Sequence, residues 1–283
     1  MYAVYAIIYA LIISIFNIFK KFSVIKTNES AVLAMYVTVS FLCSLIWIPK
    51  LGDISTELIL IFVLKGIICP INWFLVLKVL KTANISCVSL TTVISTVFVF
   101  LIGITVFGES ASILQYLGST VILASAIIIN FINKKNDEPL NSRHIIYLLI
   151  SAIISTCCSV IDKYTTTYLS NFEVQFWFLL FACVFTWLLF SFESIRKKEC
   201  LIKPQDFKNF WIYLAGLALF LGDMFLFFAY LEPSSQMIMI NILTKLKTIF
   251  AVVFGVMIFK EKNKWLKILV ALCALGGVLM VSL

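Results

Sequence analysis

Ten apolar runs account for most of this sequence, each close to the roughly 20 residues that a helix needs to cross a bilayer. They lie at 2–19, 30–48, 57–79, 84–107, 112–132, 144–169, 172–192, 209–231, 234–259 and 264–282. Composition agrees: 62% of residues are hydrophobic, 13% are charged, and the mean hydropathy is +1.08. Soluble domains carry about 25% charged residues, and a soluble fold of this length has too little interior for so much apolar surface. The expected class is an all-α polytopic membrane protein with the lipid bilayer as its surroundings, in a bacterial inner or plasma membrane. The 26 phenylalanines suit a lipid-facing surface. The longest polar connections, 133–143 and 193–208, leave no room for a soluble domain. No basic segment precedes the first run and no small-residue cleavage site follows it, so it reads as a span, not a leader.

The two halves resemble each other. "FGESASILQYLGSTVILASA" (107–126) aligns with "FKEKNKWLKILVALCALGGV" (259–278), so that Phe107 meets Phe259, Glu109 meets Glu261 and Leu117 meets Leu269. Upstream, "STVFVF" (95–100) aligns with "KTIFAV" (247–252). Five spans per repeat is an odd number, so the repeats enter the membrane in opposite senses, an inverted-repeat plan that places a substrate site near the midplane. The expected units are 1–137 and 138–283. Of the 22 lysines and arginines, 17 fall in or beside alternate connections, against one, Lys50, in the others. The positive-inside rule then puts both termini outside the cytoplasm.

These features resemble the drug/metabolite transporter superfamily in its ten-helix EamA-like form. The carriers of the resemblance are the five-plus-five duplication, the apolar run ending in Phe-x-Glu at Phe107–Glu109 and Phe259–Glu261, and the glycine-containing span after each (Gly118; Gly276 and Gly277). The fourth span departs from the family in having no proline. The resemblance implies a secondary carrier working by alternating access around a central cavity; whether it acts as a monomer or a homodimer is left open by the sequence. It names no substrate, since members move amino acids, nucleotide sugars, phosphorylated sugars, vitamins and drugs.

Other functions find little support. The net charge of +8 sits mostly in short connections, with no basic patch interleaved with aromatics, so nucleic acid is not an expected partner. The only histidine, His144, stands beside Arg143 at a span edge. No H-E-x-x-H, G-x-S-x-G or P-loop is present. Asp162 and Asp223 lack the G-x-G-D context of an intramembrane aspartyl protease, so the chain is not expected to be an enzyme. No Gly-rich filter suggests a channel. Eight cysteines without a C-x-x-C pair read as small buried hydrophobes. No metal, cofactor or disulfide is expected.

Polar groups within spans are costly and usually face the bundle interior. The ninth span carries Asn241, Lys245 and Thr248 at i, i+4, i+7 on one face, with Lys247 about 200° round from Lys245. Asp223 in the eighth span is the one mid-span carboxylate expected, able to pair with Lys245, hold a substrate amine or carry a proton. The third span aligns Lys65, Cys69 and Asn72 beside Trp73 and a kink-forming Pro70. The fourth offers Thr92 and Thr96. Ser151, Ser155 and Ser159 of the sixth suit close helix contact, and Asp162 with Lys163 lies toward that span's end, an interfacial position. Lys65, Lys245 and Lys247 outnumber Asp223, which leaves two readings: one lysine pairs with Asp223 while the others deprotonate or snorkel, or a small-molecule substrate with a carboxylate or phosphate supplies the missing negative charge. Plastid phosphate translocators and nucleotide-sugar carriers of the superfamily place basic residues on the ninth span, which the resemblance carries to Lys245 and Lys247. Alternatives are a translocase of lipids or lipid-linked precursors, and an exporter of organic cations with an aromatic wall around Trp73.

Overall fold

The structure, a computed structural model, describes residues 1–82, 95, 98, 102, 105, 106, 108, 112–134, 142–259 and 264–282. Among them all regular structure is helical. In hydrocarbon no water is present to satisfy backbone N–H and C=O groups, and a helix satisfies them within the segment. Helix α1 runs Tyr2–Lys26, α2 Glu29–Ser44 with a 3-10 extension Leu45–Lys50, α3 Thr56–Thr82 and α4 Ile113–Lys134. Next come α5 Ser142–Thr165, α6 Asn171–Lys197 and α7 Phe210–Leu231, followed by α8 Met237–Thr244, α9 Leu246–Phe259 and α10 Lys264–Ser282. Six of these, α1, α2 with its extension, α3, α5, α6 and α7, are long and apolar enough to cross a membrane. The expected fourth span, 84–107, lies largely outside the described residues.

Helix starts follow local chemistry. Asn28 caps α2 by accepting from the Ser30 backbone N–H. Ser170 and Glu173 form a reciprocal capping box on α6. At the other end of α6, Lys198 adopts φ 54°, the left-handed turn that closes many helices.

Two expectations about span limits change. Helix α1 continues seven residues past the expected end at 19, to Lys26. Lys20 is therefore a buried helical residue, not a connection residue. The run 234–259 is not one helix. The i→i+4 ladder is interrupted at Lys245, where Lys245 N–H bonds Ile242 C=O at 3.0 Å and Thr248 N–H bonds Lys245 C=O at 2.9 Å. Such i→i+3 bonds mark a tighter 3-10 turn.

Helix α1 packs mainly on α7 and also on α8 and α9, α2 on α6 and α7, and α3 on α5 and α6. Helices α4 and α10 pack together, with Gly277 so close that an added Cβ would stand 2.8 Å from the Gly118 carbonyl. Gly216 does the same for α7 on α2: an added Cβ would lie 2.6 Å from Val39 Cβ and 2.7 Å from the Tyr36 carbonyl. Small residues let helix backbones approach where lipid offers little hydrophobic drive to associate. Between α1, α3, α5, α7 and the α8–α9 break, this packing leaves a polar space.

Candidate functional site

That space is a cavity of about 210 Å³. Helix α1 contributes Tyr9, Asn17 and Lys20, α3 contributes Lys65, Cys69, Asn72 and Trp73, and α5 contributes Ser151, Ser155, Cys158, Ser159 and Asp162. Asp223 enters from α7, and Asn241, Lys245 and Lys247 from the segment that breaks. Seven of the expected site residues therefore share one cavity: Lys65, Asn72, Trp73, Asp223, Asn241, Lys245 and Lys247. Thr248 does not line it, although it is buried. Thr92 and Thr96 lie outside the described residues.

The break explains why both ninth-span lysines reach the cavity. On a continuous α-helix, two residues apart means about 160° between side chains. A 3-10 turn advances about 120° per residue, which narrows that separation to about 120°. Long flexible stems cover the rest.

Three rungs join α3 to α5. Lys65 forms an ion pair with Asp162, the Cys69 and Cys158 sulfurs stand 3.4 Å apart, and Ser151 Oγ donates to Asn72 Oδ1. From the first rung to the second, a step of four residues forward along α3 matches four back along α5, as one face of an antiparallel pair requires. Two expectations are corrected here. Asp162 is not interfacial but buried, and it neutralises Lys65, which is thus not a cation in want of a ligand. Its neighbour Lys163 turns the other way and donates to the Ser235 carbonyl at 2.9 Å, tying α5 to the α7–α8 connection. The serines of α5, expected as packing residues, line the cavity.

The remaining charges are less evenly matched. Lys245 Nζ donates to Ser95 Oγ at 3.1 Å and, among the described residues, forms no ion pair with Asp223. A fixed Lys245–Asp223 pair, one of the expected alternatives, is not formed. Lys247 Nζ stands 5.7 Å from the Tyr9 ring centroid and Lys20 Nζ 4.4 Å from that of Phe16. Lys65 Nζ lies 3.6 Å from the Phe178 centroid. Aromatic faces attract cations, more strongly when water is excluded, so these rings serve internal lysines. Asp223 Oδ2 and Asn241 Oδ1 are buried and have no hydrogen-bond partner among the described residues. Asn241 Nδ2 reaches Ser159 Oγ at 3.5 Å. Among the described residues the site thus offers three lysines, Lys20, Lys245 and Lys247, that form no ion pair with a carboxylate, and two buried acceptor atoms without a donor.

A sequence model of the EamA-like transporter family matches residues 142–283, half of the chain. The chain belongs to the EamA-like transporter family. This EamA-like protein is accordingly a multi-pass integral membrane protein of the drug/metabolite transporter superfamily, whose EamA-like members are transporters. One solved crystal structure of a protein superposes with a TM-score of 0.66 over 97% of this chain and 98% of its own, at 14% identity. At that identity the likeness is one of fold. No curated protein matches the chain.

Lys20 is a charged cavity residue that the sequence reading of this EamA-like protein missed, along with Tyr9 and Asn17 of the same helix. It falls after the apolar core of the first run, where a lysine normally sets topology. The one available signal was that "FNIFKKFSVIK" contains no helix breaker, so nothing stops α1 before Lys26.

Proposed function

We propose that this EamA-like transporter is a secondary active carrier of a small organic anion bearing a carboxylate or phosphate, working by alternating access around the central cavity. The reading includes ten spans in two inverted five-helix repeats with both termini outside the cytoplasm. The observation that carries it is the charge of the cavity wall. Lys20, Lys65, Lys245 and Lys247 face it against Asp162 and Asp223, and the only ion pair among them is Lys65–Asp162. A lysine at mid-membrane depth costs about 2.5–3.5 kcal/mol on insertion scales, so lysines lacking carboxylates are retained for a negative charge that arrives. Lys245 is the main contact and Lys247 the second, with Lys20 completing an electropositive end. Asp223 Oδ2 and Asn241 Oδ1 accept from hydroxyl or amine groups of the same substrate, and Asp223 carries the coupling proton. The excess of lysine disfavours an organic cation, and the volume of about 210 Å³ suits a metabolite better than a lipid precursor.

The test is thermal stabilisation of the purified protein by probes of different charge. Malate, phosphoenolpyruvate and glycerol 3-phosphate represent the anions, choline the cations and glycerol the neutral polyols. A ligand at 100 times its Kd stabilises by about 2.7 kcal/mol. Stabilisation by at least one anion, and by neither choline nor glycerol, is expected. Stabilisation by choline alone would overturn the reading.

A further inference from the structure

The middle rung between α3 and α5 consists of two thiols, and the transport reading makes no use of it. Cys69 and Cys158 are buried, come from helices on opposite halves of the chain, and line the cavity with their sulfurs 3.4 Å apart. A disulfide requires about 2.05 Å between sulfurs, so closing the bond calls for an approach of about 1.4 Å from the observed separation. The rungs on either side, Lys65–Asp162 and Asn72–Ser151, hold the helices in register, so the thiols stay opposed.

We infer that Cys69 and Cys158 form a redox-sensitive dithiol, oxidised to a disulfide by a small hydroperoxide that enters the cavity, and that the bond fixes the α3–α5 seam. One sulfur, as its thiolate, attacks the peroxide oxygen. The O–O bond breaks, a sulfenic acid forms, and the departing hydroxide takes up the thiol proton as water. The second sulfur then attacks the sulfenic sulfur, the S–O bond breaks, and a second water leaves. Two thiols and one peroxide thus give one disulfide and two waters, and a reducing dithiol restores the starting state. Hydrogen peroxide is small and uncharged, so the cavity of about 210 Å³ admits it. A folded thiol–disulfide oxidoreductase cannot reach sulfurs buried there. The seam forms one wall of the cavity, so a covalent rung removes its freedom to open.

The experiment needs no substrate, so its outcome is independent of what the protein carries. The full-length protein is treated with hydrogen peroxide, its remaining thiols are blocked with N-ethylmaleimide in denaturant, and peptides are read by mass spectrometry. Backbone hydrogen exchange of α3 and α5 is followed in parallel, as the ratio of oxidised to reduced sample. The expected result is a Cys69–Cys158 linked peptide that dithiothreitol abolishes, with slower exchange in both helices on oxidation. In Cys69→Ala and in Cys158→Ala the oxidised and reduced exchange should coincide. Both thiols remaining alkylatable, or oxidation to sulfinic acid that dithiothreitol does not reverse, would overturn the redox pair. A reversible disulfide with unchanged exchange in α3 and α5 would overturn the fixing of the seam.

Discussion

Replacing Lys65 with methionine should be among the most damaging single changes in the cavity wall, and the structure gives the magnitude. The Lys65 side chain is 2% exposed and that of Asp162 is 10% exposed, and each is the other's ion-pair partner. Removing one member of a buried pair strands the other charge, at a cost of about 3–5 kcal/mol. Lys65→Met leaves the Asp162 carboxylate with no remaining side-chain donor among the described residues and should show the full loss. Asp162→Asn leaves the lysine over the Phe178 ring at 3.6 Å, and a desolvated cation–π contact is worth about 2 kcal/mol. That variant should lose correspondingly less, about 1–3 kcal/mol. In Lys65→Met, Asp162→Leu no charge is stranded, and buried pairs replaced by apolar residues are often neutral or better, so stability should return to within about 1 kcal/mol of the parent. Denaturant unfolding of the four proteins in one detergent, analysed as a double-mutant cycle, measures the coupling. Equal small losses in both single variants, with additive loss in the double, would refute the pair as a buried unit.

Two further outcomes follow. Gly216→Val places a branched side chain where even a Cβ lies 2.6 Å from Val39 Cβ and 2.7 Å from the Tyr36 carbonyl, so stability should fall by about 1–3 kcal/mol or more through forced separation of α7 from α2; an unchanged Tm would contradict the close approach. Asp223→Asn should abolish the dependence of uptake on a pH gradient in proteoliposomes, assayed with whichever probe anion stabilises the protein, while leaving folding largely intact; gradient-driven uptake equal to the parent's would remove Asp223 from coupling.

The helices were legible because crossing a bilayer demands length and apolarity together, and both are read directly from residues such as those of 57–79 or 209–231. Most of the polar cavity residues were legible for the same reason in reverse, since Asp223, Asn241, Lys245 and Lys65 stand out against lipid-like surroundings. Their partners were not. Lys65 meets Asp162 across 97 positions of sequence, and no local spacing encodes that pairing. Asp162 with Lys163 looked interfacial because the two lie toward the end of their span, and only the turn of α5 sends them in opposite directions. The break at Lys245 left no trace because its neighbours Leu243, Thr244, Leu246 and Thr248 all suit a continuous helix. The presence of Lys247 beside Lys245 in the cavity follows from that break, while nothing in the turn accounts for the absence of Thr248 from the lining. The Cys69–Cys158 rung was hidden because each thiol reads as one more small apolar residue in its own span.

The central claim is that the cavity lysines receive a negative charge from the substrate, and Lys245 tests it most directly. Equilibrium binding of the stabilising anion should be measured for the parent and for Lys245→Gln by isothermal titration calorimetry, with Tm of the unliganded proteins as the control. Loss of a charge-assisted hydrogen bond is worth about 1.5–3 kcal/mol, so Kd should rise about 10- to 150-fold. Because Lys245 has no ion-pair partner among the described residues to strand, Tm should change little. An unaltered Kd in Lys245→Gln, or a large fall in Tm with affinity preserved, would contradict the account.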